Sequence, residues 1–248
     1  MRIPLLLAGL LSLSGFITAV AQETPNVLSP QEKQEGWRLL WDGQTTKGWR
    51  SARSADFPIG GWHIKDGVLT VEETGGKESA AGGDIITTEN FSNFDLKVDF
   101  KITPGANSGI KIFVDPNLNK GSGSAIGLEY QILDDVRHPD AKLGRDGDRT
   151  MSSLYDLIPA ASTKHPNPIG EWNHAEIISR GNHVEHWLNG QKVLEYERGS
   201  PEFRKLVAIS KYNKWPHFGE LPEGPILLQD HGNEVSFQNI KIKVLPAH

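Results

Sequence analysis

The sequence predicts an all-β protein, an antiparallel sandwich of two sheets. Three observations carry this. Short β-branched and aromatic runs recur along the chain, each bounded by Gly, Pro, Asn or Asp. Tight pairs such as Asp66-Gly67 and Asn189-Gly190 supply hairpin turns between them. Helical periodicity is nearly absent, and successive strands without intervening helices pack as sheet on sheet.

Residues 1–21 read as an export signal, with Arg2 as a positive start, an apolar run over 5–20 and a small-x-small site at Ala19-Val20-Ala21. A spanning helix needs roughly 20 apolar residues and no second such run exists, so a periplasmic or extracellular chain without a membrane span is expected. Residues 22–35, polar with Pro25 and Pro30, read as a mobile leader, and 36–246 as one sandwich domain. There is no cysteine, so neither a lipid-anchor thiol nor a disulfide framework is available. A net charge of -5 without a long basic block argues against a nucleic-acid partner. The seven tryptophans suit both cores and sugar-stacking platforms.

Trp37-Arg38-Leu39-Leu40-Trp41 reads as a short strand ended by Asp42-Gly43, with both tryptophans in the core. Residues 62–65 and 68–71 flank Asp66-Gly67, and 84–88 form another short strand. Over 94–103, Phe94, Leu96, Val98, Phe100 and Ile102 alternate with Asp95, Lys97, Asp99 and Lys101, the pattern of a half-exposed antiparallel strand. Pro104-Gly105 turns the chain into 108–114. Residues 127–135 are the next strand, and the polar loop 134–150 follows, long enough to be functional. Residues 172–180, 183–188 and 191–196 form a meander, and Ser200-Pro201-Glu202 caps one short helix around Phe203. Residues 206–210, 225–230 and 235–245 read as the last strands. The apolar parity slips between Phe237 and Ile240, which predicts a β-bulge at Gln238-Asn239.

The strand 127–135 bears the candidate site. Leu128, Tyr130 and Ile132 share one face, while Glu129 and Gln131 present a carboxylate and an amide on the other, ahead of Asp134-Asp135. That arrangement suits either a sugar site or an outer strand with solvated polar residues. Among nine histidines, His231, which shares a face with Gln229, is the leading candidate, and His138 in the long loop is second. His183 and His186 fall on opposite faces and cannot share an ion. The loop acids Asp134, Asp135, Asp140, Asp146 and Asp148 are interleaved with Arg137, Lys142, Arg145 and Arg149 and match no calcium-loop spacing, so a solvated loop is expected. A two-carboxylate hydrolase would pair Glu129 with Asp134 or Asp230. Trp215 begins a loop that can form a sugar-stacking lip or simply pack.

Six stretches taken together carry a resemblance: Asn107-Ser108-Gly109-Ile110, Glu129-Tyr130-Gln131-Ile132-Leu133-Asp134, Ser153-Leu154-Tyr155-Asp156, Gly170-Glu171-Trp172-Asn173, Val184-Glu185-His186-Trp187-Leu188-Asn189-Gly190 and Leu227-Leu228-Gln229-Asp230-His231-Gly232. In this order the chain resembles the 3-keto-disaccharide hydrolase domain family. The resemblance implies a concanavalin A-like jelly roll and an enzyme acting on glucosides whose C3 hydroxyl has become a ketone. Such a ketone acidifies the C2 proton, so a base can start β-elimination of the C1 substituent, with hydration following. The roles implied are base, acid or metal ligand for Glu129 and His231, with Asp134 a third catalytic candidate. Asn107, Ser108, Gln131, Ser153, Tyr155, His138, Gln229 and Trp215 would hold the sugar. A divalent metal stays open, with His231 and Glu129 as its ligands. A conventional two-carboxylate glycosidase and a non-catalytic sugar-binding module are the alternatives; the Glu-x-Asp-x-x-Glu strand of laminarinases, which share the fold, is absent. Oligomeric state is not legible.

Overall fold

The computed structural model describes residues 24–120 and 123–246, so the export signal expected over 1–21 lies outside the described residues. In chain order the elements are α1 (Pro30–Gln34), β1 (Trp37–Leu39), β2 (Trp49–Ser51), β3 (Trp62–Lys65), β4 (Val68–Val71), β5 (Ile85–Thr87), β6 (Phe94–Ile102), β7 (Asn107–Asp115) and β8 (Ile126–Leu133). A 3-10 turn at Pro139–Lys142 precedes β9 (Asn173–Arg180), β10 (His183–Leu188), β11 (Gln191–Glu197), α2 (Pro201–Ala208), β12 (Leu227–Leu228) and β13 (Val235–Val244).

The strands form two antiparallel sheets. The larger runs β11-β10-β9-β6-β13-β4-β3, with β1 also on β13, and the smaller runs β2-β5-β12-β7-β8. Hairpins join β3 to β4 and β7 to β8, and β9 to β11 form a meander. The central partners of β6, namely β9 and β13, come from far along the chain, the mark of a jelly roll rather than a simple meander. Between the sheets Phe94, Leu96, Val98, Phe100 and Ile102 meet Ile110, Ile112, Leu128, Tyr130 and Ile132, all buried in one core. Each large side chain so buried is worth about 1.5–3 kcal/mol against exposure, which is what lets a chain without disulfides hold together. Asp66-Gly67 and Asn189-Gly190 have positive φ at both positions, the backbone a two-residue hairpin loop demands.

The bulge expected at Gln238-Asn239 is present: the β6–β13 register shifts between Gln238 and Lys241, and Asn239 has φ 51. It also explains a departure. The leader expected to be mobile is held against β13, because Asn26 N donates to Asn239 Oδ1 (2.5 Å) and Asn239 N donates to Asn26 Oδ1 (2.8 Å). Ser29 and Glu32 then form a reciprocal capping box for α1, and Glu32 pairs with Lys241. A second departure concerns 206–210. This stretch is the end of α2 and the turn beyond it rather than a strand, because the Ser200 cap and Pro201 propagate a helix through Ala208.

The loop 134–150 is solvated only in part: Asp146 and Lys142 are exposed, but two of its acids are not. Asp134 and Asp148 are nearly inaccessible, at 2% and 1% exposure, and ion pairs to Arg137 and Arg145 respectively tie them down. Arg149 bridges Asp140 and Asp156 at 2.8 and 2.7 Å. Interleaved charge reads as solvation in sequence; here the opposite signs satisfy one another under the roof of the smaller sheet.

Candidate active site

The site lies on the outer face of the smaller sheet, and strand register builds it row by row. β7 pairs Lys111 with Glu129 and Gly109 with Gln131, while β12 sets Leu227 beside Lys111. Gln229 N donates to Gly109 O (3.0 Å), extending that register by one pair. At the other edge of β8, Gln131 N donates to Ser153 O (3.1 Å) and Tyr155 N donates to Glu129 O (3.0 Å). Since alternate residues share a face, one row reads Tyr155, Glu129, Lys111, Leu227 and the next Ser153, Gln131, Gly109, Gln229. Leu133, Asn107 and His231 follow in a third.

Glu129 is 4% exposed and its carboxylate lies 3.3 Å from the Lys111 ammonium, itself buried. Lys111 also donates to Ser124 Oγ and to Ala125 O (3.1 Å). Behind it the fully buried Asp84 accepts from Ser124 Oγ (2.5 Å), Ala125 N (3.0 Å) and Asp230 N (3.0 Å). Desolvation pushes the Asp84 carboxyl above the usual range, with Lys111 and these hydrogen bonds opposing it. Gly109 shapes the floor: a Cβ there would lie 2.9 Å from Glu129 Oε1, so only glycine lets the carboxylate lean across the strand.

A cavity of about 340 Å³ opens between Lys111, Gln229 and the Ser124 connection on one side and Lys211, Tyr212 and Trp215 on the covering loop. Tyr155 donates its hydroxyl to Asp140 Oδ2 (2.7 Å), and burial followed by the Glu129 charge pushes the phenol well above its ordinary range. The Lys211 ammonium sits 3.9 Å from the centre of the Tyr155 ring. Tyr212 stacks on Phe218 at 4.0 Å and 13°. Three buried amides carry polar atoms with no partner in the protein: Asn107 Oδ1, Gln131 Nε2 and Gln229 Oε1. All three belong to the rows beside Glu129, and buried polar atoms in this condition mark places where a ligand completes the hydrogen bonding.

The sequence-derived residues divide accordingly. Gln229 and Trp215 line the cavity, whereas Glu129, Gln131, Asn107 and Tyr155 lie in the strand rows beside it. Ser153 shares the face, but its Oγ accepts from Ala160 N (3.0 Å) and lies near Thr150 Oγ1, so it holds the loop. Ser108 has the opposite parity and donates to Gln229 O from inside the sandwich. Asp134 is a turn cap that accepts from Gly105 N, Val136 N and Arg137 N; it has no carboxylate left for catalysis. Asp230 likewise faces inward and accepts from Gly82 N, Gly83 N and Gly232 N. Neither acid named as a partner for Glu129 therefore reaches it.

His231 lies on the same sheet as Glu129 but two strands away and two rows along, roughly 16 Å between Cα atoms on a flat sheet. Its ring neighbour is His138, edge to face at 6.1 Å, and its buried Nδ1 has no partner. His138 Nδ1 accepts from Asp140 N (3.2 Å) to cap the 3-10 turn. Burial, then the neighbouring His231, lowers the His138 pKa, favouring the neutral ring. Among the described residues the three-group set of ligand atoms within 4.8 Å is His183, Glu185 and Glu195, and neither His231 nor Glu129 belongs to it. It lies on the outer face of the larger sheet, where Lys192 is within 3.5 Å of Glu185 and 2.7 Å of Glu195. His186, by contrast, is buried between Tyr130 and Tyr196, as the opposite parity requires.

Sequence reasoning missed Lys111, Lys211 and Gly109. Lys111 left a signal, a lone lysine between Ile110 and Ile112 in the apolar stretch of β7. Lys211 left none, because an irregular loop brings it over the sheet.

Residues 36–243 match the 3-keto-alpha-glucoside-1,2-lyase-like domain family. A 3-keto-disaccharide hydrolase of Bacteroides thetaiotaomicron is 38% identical over 231 residues, covering 85% of this chain and 79% of that protein. The crystal structure of a candidate glycosyl hydrolase from Parabacteroides distasonis aligns with TM-score 0.78 and 32% identity over 90% of this chain and all (100%) of the other. A second from the same organism aligns with TM-score 0.62 and 28% identity over 84% of this chain and 99% of the other.

Proposed function

Because the chain belongs to the 3-keto-alpha-glucoside-1,2-lyase-like domain family and is a glycosidic-bond-cleaving enzyme of carbohydrates, we propose that it acts on 3-keto-glucosides or 3-keto-disaccharides by elimination from the outer-face cavity. The observation that carries the reading is one desolvated carboxylate, Glu129, flanked by Tyr155 and Lys111, with neither Asp134 nor Asp230 beside it as a second acid. A conventional glycosidase needs two carboxyl groups across the scissile bond. Elimination needs one base.

Glu129 takes the proton from C2, and the C–H electron pair becomes the C2–C3 double bond of an enolate. As the carbonyl at C3 re-forms, the C1–C2 double bond appears and the C1–O bond breaks. The departing oxygen takes the proton from Glu129, which regenerates the carboxylate. Water then adds across C1–C2, placing hydroxyl on C1 and hydrogen on C2. Lys111 fixes the direction of the carboxylate, and the open amide atoms of Gln131, Gln229 and Asn107 orient sugar hydroxyls. Export completes this reading and predicts a mature chain beginning at Gln22, measurable as the intact mass of the extracytoplasmic protein.

The test is incubation with 3-keto-trehalose and with trehalose in heavy water, with and without chelator. Deuterium at C2 of the product is expected from the keto-sugar, with no turnover of trehalose. Equal turnover of trehalose would overturn elimination, and binding without turnover of either sugar would make the domain a sugar-binding module. The chelator arm reports on the divalent ion that the sequence leaves open.

A further inference from the structure

We propose that Lys211 is a further catalytic residue, the ammonium that receives the enolate oxygen at C3; this rests on the elimination chemistry above. Two lysines face Glu129, and donor counting separates them. An ammonium has three N–H donors. Lys111 directs its donors at Glu129, Ser124 and Ala125, so it serves as an anchor. Lys211 has no hydrogen-bond acceptor or carboxylate partner for its ammonium among the described residues. Its charge rests over the Tyr155 ring at 3.9 Å and lies 5.1 Å from the Tyr212 ring. It therefore lines the cavity with its donors free for a ligand.

The backbone of Lys211 is anchored, while its side chain is exposed at the cavity. Its backbone N–H donates to Asp156 Oδ2 (2.7 Å), whose other oxygen binds Arg149, and the next residue, Tyr212, is locked against Phe218. An anchored backbone keeps this ammonium over the cavity, where a donor can stabilise charge that develops in the transition state. The charged groups around it are Glu129 and Asp156, which favour the ammonium, and Lys111 and Arg149, which oppose it. The electron pair left by the C2 proton passes through C2–C3 to O3, a Lys211 N–H donates to that oxygen, and the pair returns to the carbonyl as the C1–O bond breaks.

The chain contains no cysteine, so Lys211→Cys introduces a single thiol that 2-bromoethylamine converts to a lysine analogue. C2 exchange and turnover of 3-keto-trehalose in heavy water are followed for wild type, Lys211→Met, Lys211→Arg and the Cys variant before and after aminoethylation. Folding is checked by near-ultraviolet circular dichroism. Lys211→Met should slow exchange by roughly 10²–10³-fold with KM little changed. Aminoethylation should restore exchange, whereas methylation of the same thiol should not. Lys211→Arg should move the alkaline limb of the pH profile upward, since a guanidinium keeps its proton. Exchange within about threefold of wild type in a folded Lys211→Met protein, or no rescue by aminoethylation, overturns the role of Lys211 alone. Wild-type protein that incorporates no deuterium overturns the elimination reading and this role with it.

Discussion

At the scale of single residues, the site depends on what a strand position can hold as much as on which groups it carries. Glu129 can lean toward Lys111 only because Gly109 leaves the neighbouring strand bare beneath it. Gly109→Ala should displace the Glu129 carboxylate and lower stability as well, since the clash reaches Cγ of a buried side chain paired with Lys111. A misplacement near 1 Å is worth about 10² in rate. The paired measurement is kcat beside the denaturation midpoint, and undiminished kcat would refute the role of this glycine. Glu129→Gln keeps the shape and removes the base, and should lower kcat by roughly 10²–10⁴ while sugar binding persists, as calorimetry with 3-keto-trehalose would show. A proportionate loss of binding alone would point to a lectin.

Among elements, the loop 134–150 shows how buried acids build a scaffold. Desolvation works against the ionised Asp134, but hydrogen bonds from Gly105, Arg137 and Val136 outweigh it and hold the carboxyl below its usual range. A folded-state pKa lower than the unfolded one stabilises above the unfolded value and loses that stabilisation as pH falls through the folded value. Asp134→Ala should destabilise by about 1–3 kcal/mol at pH 7, by the loss of hydrogen bonds to a charged group. The deficit should shrink below about pH 4, near the unfolded carboxylate value. Urea denaturation of both proteins at pH 7 and pH 3.5 measures it, and a deficit unchanged at the lower pH would contradict the assignment. The bulge in β13 has a similar structural use. By turning Asn239 to φ 51 it aims an amide at the leader, so a local register fault docks a distant segment.

For the molecule as a whole, the two sheets are joined at the site's back by a buried polar chain. Ser152 donates to Tyr130 Oη (2.7 Å), Tyr130 donates to Trp187 O (3.0 Å), and His186 Nδ1 meets Ser152 O (3.0 Å). Tyr130 lies between Glu129 and Gln131 in sequence, so the larger sheet steadies the strand that carries Glu129. Burial lowers the His186 pKa to about 4, while the unfolded ring titrates near 6.5. The unfolded state therefore binds the proton first, and stability present above pH 6.5 is lost as pH falls toward 4. The loss amounts to on the order of 3 kcal/mol across that window. His186→Phe should flatten the dependence of unfolding free energy on pH between 6.5 and 4.5, and an unchanged slope would rule His186 out as its source.

The alternation of β6, the Asp-Gly and Asn-Gly turns, the Ser200 cap and the parity slip in β13 were legible because each is set by side chains close in sequence. Period-two patterning likewise placed Glu129 and Gln131 on one face of β8. It could not measure reach: His231 shares their sheet but belongs to another row, and only the register across β7 and β12 shows this. Nor could composition tell a solvated acid from Asp134, which spends its lone pairs on backbone amides. The sequence by itself thus determined the sandwich, the shared face of Glu129 and Gln131 and the family's order of motifs. Tertiary structure decided that Lys111 anchors Glu129 and that Lys211 arrives over it from a loop, because cross-strand pairing and loop docking join residues whose separation along the chain carries no local signal.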